Sequence, residues 1–102
     1  MEKYRCLCCG FRTLSSQGKC DICPVCFWED EVYFTPEQQQ IYNHCTTIEE
    51  IYKNPKFEDL LTEPSSANHN LTPKQARNNY LSFGACEKNM LPYVRKPLEQ
   101  EK

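Results

Sequence analysis

Two C-x-x-C turns separated by thirteen residues constrain this chain more than any other feature. Cys6-Leu7-Cys8-Cys9-Gly10 carries the first and Cys23-Pro24-Val25-Cys26 the second. Such a turn sets two thiolates on one side of the backbone, where its amides can hydrogen-bond the sulfurs and soften their charge. Gly10 supplies the left-handed conformation that the turn often needs. Brought face to face, two turns close a tetrahedral shell with metal–sulfur distances of about 2.3 Å. No coordination position stays open, which points to a structural metal rather than a catalytic one. Cys6, Cys9, Cys23 and Cys26 are therefore the expected ligands, and one Zn2+ the expected ion.

Length makes the metal useful. A chain of 102 residues buries a modest fraction of its surface on folding, and structural zinc can add about 10 to 16 kcal/mol of apparent binding free energy. The same spacing admits two other chemistries. Eight cysteines could form disulfides in a secreted protein, but Met1 to Arg5 run into Cys6 without the apolar stretch of a secretory signal. Iron could occupy the same shell, as in rubredoxin, and would make the chain an electron carrier. Zinc is the preferred metal.

The ligand set has competitors within the sequence. Cys8 lies inside the first turn, so a Cys6/Cys8 or Cys8/Cys9 pair is an alternative. Cys20-Asp21-Ile22-Cys23 is a second C-x-x-C that overlaps the chosen one. Pro24 stiffens the Cys23/Cys26 turn and favours it. Cys45 and Cys86 are far along the chain and read as small, half-buried residues on helices.

Punctuation divides the chain. Tyr4 to Cys6, Phe11 to Leu14 and Cys20 to Cys23 read as short strands, with Ser15-Ser16-Gln17-Gly18 turning the second into the third as a hairpin. Thr35-Pro36-Glu37-Gln38, Thr47-Ile48-Glu49-Glu50 and Thr72-Pro73-Lys74-Gln75 each place a hydroxyl and a Glu or Gln at capping-box spacing. The first predicts a helix to about Cys45. The second predicts a helix stopped by Asn54-Pro55, with one more turn over Phe57 to Leu61. The third predicts a helix from Pro73 to Phe83, closed by Gly84, with Ala76, Tyr80 and Phe83 facing inward and Arg77 and Asn78 away. Pro64 to Asn68 reads as a linker, Cys86 to Leu91 as a short turn, and 98–102 as a loose tail. The expectation is one α+β domain over 1–97: a zinc-ribbon or rubredoxin-like β knuckle at 3–30, a helical insertion at 32–65, and a C-terminal helical part at 66–97 packed back on the knuckle.

With the turns and the last helix placed, the chain resembles the bacterial cysteine-rich CPCC family. CLCCG at 6–10, ICPVCFWEDE at 22–31 and SANHNLTPKQARNNYLSFGACEKNMLPYVRKP at 66–97 carry the resemblance. The family's first motif has proline where this chain has Leu7, and Cys86 also matches, within FGAC. Family members connect the WED string to the last helix more briefly, which makes 32–65 look inserted. The resemblance implies a zinc-binding domain and no defined activity.

Charge is unevenly spread. The net −2 resolves into +2 over residues 1–28, −7 over 29–63 and +3 over 64–102. Glu29, Asp30, Glu31, Glu37, Glu49, Glu50, Glu58 and Asp59 are thus candidate partner-facing residues, since a field of one sign steers a basic partner. A non-enzymatic, metal-stabilised protein-binding module follows, of the kind an antitoxin or immunity protein makes against a basic toxin domain. Catalysis is poorly supplied: His44 and His69 have no evident partners, and phosphate loops and HExxH are absent from the sequence. Lys3, Arg5, Arg12 and Lys19 with Tyr4 and Phe11 offer a nucleic-acid face. Against it, four thiolates around Zn2+ take the net charge from −2 to −4, and phosphate contacts dominate that affinity. Trp28 reads as core packing over the site. Without a run of apolar residues long enough to span a bilayer, a soluble cytoplasmic protein is expected.

Overall fold

A computed structural model describes residues 3–102. Each cysteine turn closes its own hairpin. β1 (Tyr4–Arg5) pairs antiparallel with β2 (Arg12–Leu14), and β3 (Asp21–Ile22) pairs antiparallel with β4 (Glu29–Asp30). The two turns repeat one hydrogen-bond pattern. Gly10 N donates to Cys6 O at 2.8 Å and Cys6 N to Phe11 O at 2.9 Å, while Phe27 N donates to Cys23 O at 2.8 Å and Cys23 N to Trp28 O at 2.9 Å.

This corrects the expected pairing of the second strand with the third. The three connections between consecutive strands are alike in length, and the two that carry a cysteine turn are closed by its paired backbone hydrogen bonds, so each strand finds its partner across its own turn. The polar stretch after Leu14 joins the two hairpins instead. Asp21 accepts the Ser15 amide at 2.8 Å and Asp30 the Gly18 amide at 2.9 Å, which pins that connection.

The helices fall where their caps place them. α1 (Pro36–His44) starts at Thr35, whose hydroxyl and backbone N–H exchange hydrogen bonds with Gln38. α2 (Ile48–Tyr52) is opened by Glu50, which accepts the amides of Thr46 and Thr47 at 2.6 and 2.8 Å. A 3₁₀ turn at Pro55–Phe57 leads into α3 (Glu58–Leu61). α4 (Pro73–Phe83) has the reciprocal Thr72–Gln75 box and ends on Gly84 at φ +95°. The short C-terminal turn covers Lys88–Tyr93 and contains Pro92 rather than stopping before it.

Two apolar clusters meet at the first cysteine turn. One gathers Cys6, Cys8, Cys9, Leu14, Cys23, Val25, Cys26 and Trp28 with Ala76 of α4 and Cys86. The other gathers Tyr42, Ile48, Ile51, Phe57 and Leu61 from the helical segment around Leu7. Leu7 points into the helices while its neighbours point into the thiols. Tyr42 and Tyr52 add hydroxyl contacts at 2.7 Å to the carbonyls of Arg5 and Leu7.

Three expectations change on packing. Arg77 does face away from the Ala76 stripe, yet it is not simply solvated: it donates to Cys8 O at 3.0 Å, sits 5.4 Å over the Tyr52 ring and pairs with Glu49 at 3.3 Å. The stretch read as a linker is built in, because Asn68 bonds both the N–H and the carbonyl of Glu29, each at 2.8 Å, in place of a strand neighbour. The tail carries a 3₁₀ turn at Glu99–Glu101 that packs on β2, and buried Glu101 takes a bidentate bond from Arg95 at 2.8 and 2.9 Å. Among the described residues, no helix is long and apolar enough to cross a membrane.

Two glycines isolate space from conformation. Gly10 has φ +84°, and a Cβ there would lie 2.5 Å from Ile48 Cγ2, whereas Gly84 at φ +95° has open space around the same position. Gly84→Ala should cost about 1 to 2 kcal/mol, the left-handed penalty alone. Gly10→Ala should cost that plus about 1 to 3 kcal/mol of overpacking. Thermal or urea unfolding of both variants checks the order, and equal losses would contradict the packing of Ile48 on the turn.

Candidate metal centre

The thiols of Cys6, Cys9, Cys23 and Cys26 converge. All four are buried and their sulfurs lie within 4.8 Å of one another. The close approaches cross between the turns: Cys6 Sγ is 3.5 Å from Cys26 Sγ, and Cys9 Sγ is 3.7 Å from Cys23 Sγ. A regular tetrahedron with metal–sulfur bonds of about 2.3 Å has edges of about 3.8 Å, so the donor set and its size suit metal binding. A disulfide would need sulfurs at about 2.05 Å. All eight cysteines are free thiols here.

The fold builds this shell from the backbone outward. Hairpin pairing orients both turns, and α4 backs them through fully buried Ala76. Cys86 N donates to Cys26 O at 2.8 Å and Arg95 N to Pro24 O at 3.1 Å, so the chain after α4 straps the second turn from outside. Arg77 holds the first turn through Cys8 O. Trp28 is fully buried beside the sulfurs, and its indole Nε1 has no acceptor among the described residues.

Electrostatics within the shell are uneven. Burial pushes the Cys6 and Cys26 thiols well up, because a thiolate loses its water there. Hydrogen bonding to Cys23 pushes Cys9 up. Cys23 is pulled down, since Cys26, Cys6, Cys9 and then Thr13 all stabilise its charge by hydrogen bonds. Thr13 Oγ1 lies 2.9 Å from Cys23 Sγ and Val25 N donates to the same sulfur at 3.4 Å.

The other cysteines separate cleanly. Cys8 is fully buried in the adjoining core and Cys20 is exposed at φ +61°, and neither joins the four. Burial raises the Cys45 thiol, and raises that of Cys86 to about 12. Both shifts favour the protonated thiol over the reactive thiolate.

The charged and aromatic residues are placed less simply. Asp30 is buried and serves the Gly18 amide, so it does not face a partner. Glu31 accepts the Ser65 hydroxyl at 2.7 Å, Glu37 pairs with Lys56, Glu49 pairs with Arg77, and Glu50 caps α2. Glu58 and Asp59 are exposed, and Glu29 is half-buried. Glu31, Asp59 and Glu63 border one groove of about 520 Å3 that also holds Leu60 and Tyr33. On the opposite charge, Lys3, Tyr4, Arg5 and Arg12 share an open groove of about 950 Å3 with Arg95 and Glu101, while Lys19 and Phe11 lie outside it. His44 is exposed, and His69 has a partner that the sequence did not reveal, Glu87 Oε1 at 2.7 Å from Nδ1.

Thr13 is the site residue that sequence reading missed. Nothing in its neighbourhood distinguishes it from any strand threonine, since its role depends on β2 crossing the second turn. Searches with the chain return no match among curated proteins and none among solved structures. A family model described as cysteine-rich CPCC matches residues 4–54 and 32–101, and this chain, with its shell of four convergent thiols, belongs to that family.

Proposed function

We propose that this chain is a non-enzymatic protein-binding module of zinc-ribbon or rubredoxin-like type, stabilised by one structural Zn2+ on Cys6, Cys9, Cys23 and Cys26. The observation that carries the metal reading is the closed, buried S4 shell, with cross-turn sulfur separations of 3.5 and 3.7 Å. Four protein thiolates would fill the tetrahedral preference of zinc and leave no position for substrate or water. When bound, the ion would supply charge neutralisation and a cross-link. The chain's own residues do the rest: Thr13 donates to Cys23, α4 excludes water, and the Cys86 strap holds the second turn.

The protein-binding half of the reading rests on surface chemistry. Glu31, Asp59 and Glu63 border one groove, and Tyr33 beside them is 80% exposed. No Lys or Arg is among its lining residues. A basic protein surface suits it, and a cationic toxin domain held by an immunity-type inhibitor is the partner class we infer. The basic groove at Lys3, Arg12 and Arg95 supports a second reading, binding of single-stranded nucleic acid.

Purified protein should contain one zinc per chain and be colourless; a red, iron-loaded protein would replace the zinc reading with electron transfer. Cys23→Ser or Cys26→Ser should abolish metal uptake and soluble folding, while Cys8→Ser and Cys45→Ser keep one metal. Thr13→Val should weaken metal affinity by about 10- to 100-fold in chelator competition, and Thr13→Ser should restore most of it. An unchanged affinity in Thr13→Val would remove the hydroxyl from the site.

Partner capture from the native host should recover a basic protein at low salt. Asp59→Lys/Glu63→Lys should lose it while keeping the metal. Recovery that ignores both salt and the double substitution contradicts the acidic docking surface. Salt-sensitive binding of a labelled oligonucleotide that Arg12→Glu abolishes would favour the nucleic-acid reading in its place.

A further inference from the structure

The two cysteine turns share their hydrogen bonds but differ at the residue that follows the second cysteine. In the first turn it is Gly10 at φ +84°, and in the second it is Phe27 at φ +69°. A left-handed conformation costs a residue with a Cβ about 1 to 2 kcal/mol. Backbone strain of this kind persists where the surroundings enforce it, and it gathers at ligand clamps. The Phe27 ring does not spend this strain on full burial. It stays half-buried, packs at 5.4 Å against the Tyr93 ring, and forms one wall of a cavity of about 180 Å3.

Ile22, Leu71 and Met90 are further apolar lining residues, and Glu29 and Glu87 are the acidic residues that border the cavity. Among the described residues His69 is the one basic side chain in the lining, and it is tied to Glu87 at 2.7 Å. Ile22 is 45% exposed and Tyr93 65%, so the apolar surface continues outside the cavity. The volume is below the roughly 300 to 1,000 Å3 of cofactor and small-molecule sites, and it suits one side chain.

We propose that this cavity is an anchor pocket for a protein partner, taking one apolar side chain that is flanked in the partner by Lys or Arg. The proposal rests on the protein-binding reading and adds a hot spot on the second cysteine turn, with a lining that shares no residue with the acidic groove. Apolar walls supply affinity for the anchor. Glu29 and Glu87 select for flanking cations, and they penalise an acidic segment by leaving like charges opposed.

The test uses two blocked tripeptides, Arg-Leu-Arg and Glu-Leu-Glu, titrated into the zinc-loaded, nitrogen-15-labelled chain. The cationic peptide should produce saturable amide shifts at Ile22, Phe27, Leu71 and Met90, and the acidic one should bind at least tenfold more weakly. Phe27→Gly should lose the response while retaining one metal per chain, because glycine fits the left-handed turn. Glu87→Gln, on a folded background, should weaken the cationic peptide several-fold. Silence toward both peptides, equal response to both, or an undiminished response in Phe27→Gly would overturn the pocket. These readouts do not depend on host partner capture. A captured basic protein indifferent to Phe27→Gly would leave the protein-binding reading standing and remove the anchor.

Discussion

Everything in this structure depends on four sulfurs from two separate hairpins meeting in one buried shell. The hairpins have strands of two or three residues, far too short to be stable alone. What holds them is convergence: Cys6 against Cys26 and Cys9 against Cys23, with α4 behind them and the Cys86 strap outside. On the zinc reading the same crowding becomes a cross-link, and metal binding and folding are one equilibrium.

The apolar core of the helical segment closes on the first turn through the Leu7 side chain. Leu7 is fully buried among Tyr42, Ile48, Ile51, Phe57 and Leu61 while Cys6 and Cys8 on either side turn toward the thiols. The resemblance places proline at this position, and a leucine here gives the helices an apolar plug to close on. Gly10 then lets Ile48 lie against the turn, and Arg77 bridges α4 to both parts through Cys8 O, Tyr52 and Glu49. A perturbation of the helical segment should therefore be felt at the first turn before the second.

Local chemistry was legible in the sequence and long-range pairing was not. Thr35, Thr47 and Thr72 marked the helix starts because a capping box is written within four residues. The C-x-x-C spacing marked the four converging cysteines for the same reason, while Cys8 and Cys20 remain competitors in the sequence and only the placement of the sulfurs separates them. The hairpin pairing, by contrast, was misread, because Ser15 to Gly18 looks like a reversing turn until Asp21 and Asp30 are seen to fasten it. Asn68, Thr13 and Arg95 carry no local signature, since each acts on a partner distant in the chain. Charge counted along the chain does not say which carboxylates are engaged: Asp30 is buried, Glu31, Glu37, Glu49 and Glu50 each hold a partner within the fold, and Glu58 and Asp59 stay exposed.

On the zinc reading a bound ion holds the fold together. Far-UV circular dichroism and amide exchange, followed under reducing conditions before and after a strong chelator, test this most directly. The prediction is that chelation collapses the protection of both hairpins and α4, and that equimolar zinc restores it. A chelated chain that keeps its protection and its melting temperature would contradict the claim that the thiol shell works through a metal.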